Sequence, residues 1–497
     1  MKLPVLSLLL VTGSLAAGSR EENFKQDFQA MVDFAMTTCE VVPGLSIAFV
    51  KGDQVLVASG YGYLDRERKI AAEADSKFYI ASSTKSFAAL TALVLDHQGA
   101  LSLQRSLADS LPEADWPTSV GADRITLADL LSHSAGLNND AIVNRFAYTG
   151  EHDQQTLLRL VGYTEPNRDA PPGQFDYTNL GYNLLGMLWR QRLGKNWKSL
   201  VAEHIIRPLG MQDTTAYFDE ADPSSFARPY YELWGSARLH LEKRDETLHA
   251  AGGLYASARD MAKWLRVQMN EGRLGPKQVF PSDLIRRSHE ALVDVDRSFG
   301  PYRRTHYGLG WYLATYENER MIHHFGSYPG TRSHVSFLPE HKLGIAVMTN
   351  EGSIGFRLVD LLANYAYDWW LKPGVGDGKH REKIQQLADG FAKAKVKRAQ
   401  DRAKRAERKW NLSQPRQAYA GHYRDERLGS LRVMVANPGF TVRAGRLQAV
   451  AEPYDQQDKM RLELLPGRGS ILSFDIDASG EVNGLTFQGQ KFQRVKK

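Results

Sequence analysis

One cysteine, Cys39, stands in 497 residues, which excludes an internal disulfide and any metal site built from several thiolates. A glycine-rich phosphate loop and a Gly-x-Ser-x-Gly elbow are also absent, so kinase chemistry and an α/β-hydrolase nucleophile are not expected. The adjacent His323 and His324 would point to opposite faces of a strand, a poor arrangement for holding one ion, and no metal or organic cofactor is expected. Long apolar runs are missing beyond the N-terminus. There, Lys2 is followed by the mostly apolar Leu3–Val11 and the small residues Gly13-Ser14-Leu15-Ala16-Ala17-Gly18. That order is the pattern of a secretory signal, and the run is too short to span a bilayer comfortably. No cysteine follows closely enough to carry a lipid. The expectation is a signal peptide over 1–17 and a periplasmic or secreted protein with no stable membrane anchor.

A dispersed basic surface is missing too. The formal charge is +6, but twelve Lys/Arg against four Asp/Glu between Lys379 and Lys409 put +8 on that segment and leave the remainder at −2. Nucleic acid is therefore not an expected partner. The chain is long enough for two or three domains.

What is present reads as follows. Phe24, Phe28, Met31, Val32 and Ala35 recur at helical spacing within 22–38. Leu45–Val50 and Gln54–Ser59 flank Lys51-Gly52-Asp53 as a hairpin. Phe78-Tyr79-Ile80 leads into a helix running to about His97. Leu127–Leu131 is a short helix before a Gly-stopped turn carrying His133, read as a buried histidine fixing a loop more readily than as a base. A Pro/Gly-rich loop, Asp169–Asn179, precedes the apolar helix Leu180–Trp189, and Ser257 caps another helix to Met269. Strand-like segments follow from Tyr307 onward, at Met321–Phe325, Ser333–Leu338 and Leu343–Thr349. A helix resumes over Ile354–Trp370. Pro373 and the glycines to Gly378 mark a boundary, after which Lys379–Trp410 reads as a solvated basic helix. Beyond Pro415 come short strands (Tyr419–Asp425, Ser430–Ala436, Phe440–Ala444, Arg461–Leu465, Ile471–Asp477, Leu485–Phe492), the texture of a small antiparallel barrel. The expected domains are 18–375, a helical linker 376–412 and a barrel 413–497.

Chemistry concentrates in three pieces. Ser82 and Lys85 lie three apart at a helix start, where side chains share a face and unpaired backbone N–H groups are available. A serine hydroxyl needs a neighbouring base, and a lysine at this spacing can serve. Ser-x-x-Lys alone recurs by chance in long chains. Tyr177-Thr178-Asn179 at a loop-to-helix junction and His324-Phe325-Gly326-Ser327 on a strand are the second and third pieces. In this order, with LLSHSAGL at 130–137 and AAGGLYASARDMAKWL at 250–265, the chain from about Val42 to Asn350 resembles the serine β-lactamase and penicillin-binding protein family. Within that family it is most similar to class C β-lactamases, D,D-carboxypeptidases, D-aminopeptidases and related esterases.

The resemblance implies an α+β fold, an antiparallel sheet flanked by helices, plus a C-terminal lipocalin-like all-β barrel. It implies Ser82 as nucleophile, Lys85 and Tyr177 sharing the base role, Asn179 orienting Lys85 and substrate, and an oxyanion hole from the backbone N–H groups of Ser82 and Ser327. Two departures matter. Where many members carry Lys-Thr-Gly, this chain has His324-Phe325-Gly326, and a histidine is mostly neutral at pH 7. Substrates without a carboxylate gain ground unless nearby Arg332 restores a cation. The second departure is the C-terminal extension, through which a homo-oligomer could form. The expected function is an exported serine hydrolase acting on an amide or ester through a Ser82 acyl-enzyme. A true β-lactamase, a non-catalytic peptidoglycan- or partner-binding protein, and an interaction platform built on the basic helix and barrel are the alternatives.

Overall fold

A computed structural model describes residues 19–233, 241–374, 376–437 and 439–495. The segment expected to be a signal peptide lies outside the described residues. Among those described, no helix is long and apolar enough to cross a membrane.

The first layer is helix α1, Arg20–Thr38, started by Ser19, whose hydroxyl accepts from the Glu22 N–H. Its buried face is the predicted Phe24, Phe28, Met31, Val32 and Ala35. It covers a nine-stranded antiparallel sheet, order β4-β5-β6-β7-β8-β9-β1-β2-β3. The strands are β1 Gly44–Lys51, β2 Gln54–Asp65, β3 Ile70–Ala71, β4 Val293–Phe299, β5 Tyr302–Tyr307, β6 Tyr312–Tyr316, β7 Glu319–Tyr328, β8 Thr331–Leu338 and β9 Leu343–Thr349. Strand alternation divides the core in two. Leu45, Ile47, Phe49, Ile345 and Val347 face α1 and helix α5, Gly355–Leu371. Ala48, Val50, Ala346 and Met348 face the other way, toward helices α2, Thr84–His97, and α4, Ala258–Met269. Helix α2 is buried from Thr84 through Leu95, so it is the central post of this half. Helix α3, Leu180–Leu193, packs on the short helix Leu127–Leu131 and ends at Gly194 in a left-handed conformation.

Strands β3 to β6 escaped the sequence reading, as did Leu447–Val450 and Glu452–Pro453 of the second sheet. The segment read as one strand, Leu485–Phe492, is corrected to two, Val482–Phe487 and Gln490–Arg494, because Gln488 and Gly489 both take positive φ in a two-residue hairpin turn.

The basic segment is helix α6, Gly378–Ala406. Two of its cations reach the C-terminal sheet, Arg398 meeting Glu463 at 2.7 Å and Arg405 meeting Glu452 at 2.9 Å, and just past the helix Arg408 meets Asp455 at 3.1 Å. Most of the helix is exposed, with His380 and Ile384 its buried residues, so the solvated reading describes the greater part of it. The second sheet has nine antiparallel strands curled into a nearly closed barrel: β10 Gly421–Asp425, β11 Gly429–Val435, β12 Phe440–Ala444, β13 Leu447–Val450, β14 Glu452–Pro453, β15 Lys459–Leu462, β16 Ser470–Ile476, β17 Val482–Phe487 and β18 Gln490–Arg494. Its apolar interior also takes in Leu241, and Tyr148 and Tyr328 from the first half pack against it.

Candidate active site

Ser82 does not sit inside α2 but in the 3₁₀ turn Ala81–Ser83 that leads into it. Ala81 is held at φ +45°, a left-handed conformation costing a non-glycine residue about 1–2 kcal/mol. The surroundings over-determine it. Ser83 Oγ donates to the His324 carbonyl at 3.0 Å and meets Ser333 Oγ at 2.9 Å. Ser333 Oγ donates to the Ile80 carbonyl at 2.7 Å. The turn is thereby stapled to β7 and β8 by hydroxyls that the sequence reading passed over.

Gly326 explains itself at this junction. A Cβ there would overlap the Ile80 carbonyl oxygen, so β7 can approach the turn only with glycine at this position. Ser327 follows at the exposed end of the strand.

Lys85 is wholly buried. Its Nζ donates to Asn179 Oδ1 at 2.8 Å and to the Ala251 carbonyl at 2.7 Å, and lies 3.3 Å from Ser82 Oγ. No carboxylate is among these partners, and burial holds its pKa well below the ordinary value of 10.5. An amine whose charged form is disfavoured by burial can accept the proton of a neighbouring serine hydroxyl. Asn179 occupies the N-cap position of α3 without capping it; the Leu180 N–H bonds the Thr178 hydroxyl instead, leaving Asn179 free for Lys85. The Ala251 carbonyl is a positioning group that no side-chain motif could reveal.

The Tyr177 ring lies 4.9 Å from Lys85 Nζ. Burial pushes its phenol up, opposed by a hydrogen bond with Ser82 and by the charges of Arg304 and Arg332. Tyr177 is thus a hydroxyl at neutral pH, able to relay a proton but not to stand as a resting base. His133 lies under the Tyr177 ring at 4.5 Å between centroids, and its Nδ1 accepts the Thr178 N–H at 3.4 Å. It fixes the loop, as expected.

His324 is 1% exposed. Its Nδ1 contacts the Phe325 carbonyl at 3.0 Å and its Nε2 contacts Tyr307 Oη at 3.1 Å. A carbonyl only accepts, so Nδ1 carries the proton and Nε2 accepts from the tyrosine. Burial, then the neighbouring Lys85, lowers the imidazole well below its usual range. The Tyr307→Phe variant strands a buried nitrogen and is expected to cost about 1–3 kcal/mol, read as a lower melting temperature with Ser82 still reactive.

Arg332 is corrected. It pairs with Ser327 across the β7–β8 hairpin, and its guanidinium lies 4.1 Å from the Phe356 ring centroid and 3.8 Å from Asp360, beneath the sheet on the α5 side. His324 and Gly326 face the opposite side. Arg332 therefore supplies no cation beside His324. Behind Tyr328, Lys243 donates to the Ala147 carbonyl and stacks 3.8 Å from the Tyr328 ring, burial pushing its pKa down to about 7. The sequence reading missed this residue, which carries no motif. Among the described residues no group of three or more His, Cys, Asp or Glu could hold a metal ion.

Comparison with known proteins follows the same geometry. The beta-lactamase family profile matches residues 26–366. Protein flp of Staphylococcus aureus strain MW2 is 28% identical over 315 residues, 63% of this chain and 60% of that protein, so the chain spans under two thirds of the curated relatives it matches. Among solved structures, the octameric penicillin-binding protein homologue from Pyrococcus abyssi superposes with a TM-score of 0.58 at 22% identity, covering 94% of this chain and 99% of that one. The D-amino acid amidase from Ochrobactrum anthropi SV3 gives 0.58 at 22% identity over 70% of this chain and 98% of its own. With the profile spanning more than half the chain and carrying Ser82, Lys85, Tyr177 and His324 in family order, this protein belongs to the beta-lactamase family.

Proposed function

We propose that the chain is an exported serine hydrolase that cleaves amides or esters lacking an obligatory carboxylate, of the D-amino-acid amide, peptide or simple ester kind. The observation that carries the activity is the contact of Ser82 Oγ with a buried, partner-fixed Lys85 amine at 3.3 Å. The Ser82 O–H proton passes to Lys85, directly or through the Tyr177 hydroxyl, as Oγ bonds to the substrate carbonyl carbon. The oxyanion so formed is held by the Ser82 and Ser327 backbone N–H groups, a contribution of about 2.7–4 kcal/mol per donor. Collapse breaks the C–N or C–O bond, and the leaving amine or alcohol takes the proton back. Water then attacks the acyl ester, gives up its proton by the same route, and releases the acid with Ser82 restored.

The substrate class rests on His324. A neutral imidazole locked to Tyr307 offers at that position no fixed positive charge of its own for a penicillin-type carboxylate. The amidase named among the structural neighbours is in keeping with this reading, and the N-terminal pattern of residues 1–17 with export. A panel of D-amino-acid p-nitroanilides, short p-nitrophenyl esters and nitrocefin tests it. Esters or amides should give the higher kcat/KM; a chain that prefers nitrocefin is a β-lactamase and sinks the assignment.

The pH dependence follows from Lys85. Only the neutral amine accepts a proton, and its pKa is lowered, so the amine is switched off on the acid side. kcat/KM is expected to fall as pH drops through the lowered Lys85 pKa and to stay level through mild alkali, since the Tyr177 phenol is raised. Activity that appears only near the ordinary lysine pKa of about 10.4 contradicts this.

A further inference from the structure

A cavity of about 360 Å³ lies where the barrel meets the segment 140–149 of the first half, within the lower part of the range of about 300–1,000 Å³ for small-molecule sites. The barrel supplies apolar walls, Leu431, Leu447, Leu465, Phe487 and Phe492, all buried in its core. Two guanidinium groups also line it, Arg427 and Arg468. Arg468 is exposed and Arg427 half-buried over the Tyr163 ring at 5.5 Å, and neither forms an ion pair among the described residues. One carboxylate, the exposed Asp140, shares the lining, so the arginines outnumber it. None of these residues belongs to the machinery around Ser82.

We propose that this cavity binds an apolar molecule with a single carboxylate head, of about the bulk of decanoate. The apolar walls favour a hydrocarbon tail, while Asn144, Thr149, Gln488 and Gln490 add polar groups to the lining. The arginines favour the head, since a planar guanidinium matches a carboxylate in both charge and hydrogen-bond geometry. An ammonium head would meet the same two charges as repulsion. The site adjoins the catalytic half through one aromatic pair: Tyr148 lines the cavity and stacks at 6.1 Å on Tyr328, the residue after Ser327.

Calorimetric titration of the full chain with decanoate tests this, with decyltrimethylammonium and acetate as comparison ligands. The expected result is saturable binding of decanoate at one site per chain, and no comparable binding of the cation or of acetate. The double variant Arg427→Gln/Arg468→Gln should bind roughly tenfold or more weakly, the scale of losing a charge-assisted hydrogen bond, with its melting temperature unchanged. Leu447→Trp, which fills the cavity, should abolish binding, and Ser82→Ala should leave it intact. Absence of saturable decanoate binding overturns the proposal, as does equal binding of decyltrimethylammonium. Binding that survives the double arginine change, or that Ser82→Ala removes, overturns it as well, the latter by placing the ligand at the hydrolytic site.

Discussion

Replacing Lys85 by methionine is expected to lower kcat by about 10²–10⁴-fold, the range for losing a positioned general base, with little change in KM. Methionine keeps most of the buried volume and removes only the amine, so the protein should stay folded. Asn179 Oδ1 and the Ala251 carbonyl lose their donor and Ser82 Oγ loses its proton acceptor. A buried amine without a carboxylate partner is an unfavourable thing to keep for stability alone, so the variant is expected to lose no more than about 1–3 kcal/mol of stability, the cost of leaving polar groups unpaired. Steady-state kinetics beside a thermal melt separates the two effects. A Lys85→Met protein that hydrolyses esters at the parent rate would remove Lys85 from the base role and leave Tyr177 to carry it.

The second large effect is steric. Gly326→Ala places a methyl group into the Ile80 carbonyl oxygen, and that oxygen already accepts from Ser333, so the turn carrying Ser82 cannot yield without breaking its staple. A displacement of the order of 1 Å between nucleophile and oxyanion donors costs about 10²-fold in rate. The expected outcome is a loss of that size in kcat/KM with overpacking worth about 1–3 kcal/mol of stability. Parent-like activity in Gly326→Ala would mean that β7 does not set the position of Ser82.

Much of this site was legible because its side chains announce their chemistry. Ser82, Lys85, Tyr177 and Asn179 are brought together as their motifs required, and α1, the first hairpin and α2 fall where periodicity and turn residues put them. What stayed hidden was carried by backbone or by distant partners. The Ala251 carbonyl has no residue-type signature. The tautomer of His324 depends on Tyr307, seventeen positions earlier and on another strand. Arg332 was misjudged although strand parity held the clue. Residues 324 and 326 share one face of β7 while 323, 325 and 327 share the other, and the hairpin pairs Ser327 with Arg332. Strands β4 and β5 were passed over because their alternation is masked by charge: in Val293-Asp294-Val295-Asp296 only the valines turn inward. The barrel's texture was readable from its turns, but not that Arg398 and Arg405 of the preceding helix are committed to its acids, since those pairs span tens of residues.

The central claim is that Ser82 is an activated nucleophile, and intact mass spectrometry tests it most directly. The wild-type chain and Ser82→Ala are exposed to a fluorophosphonate and, separately, to benzylpenicillin. The account predicts one fluorophosphonate adduct on the wild type, none on Ser82→Ala, and no lasting penicilloyl adduct on either. An adduct that persists in Ser82→Ala, or no labelling of the wild type, would contradict it.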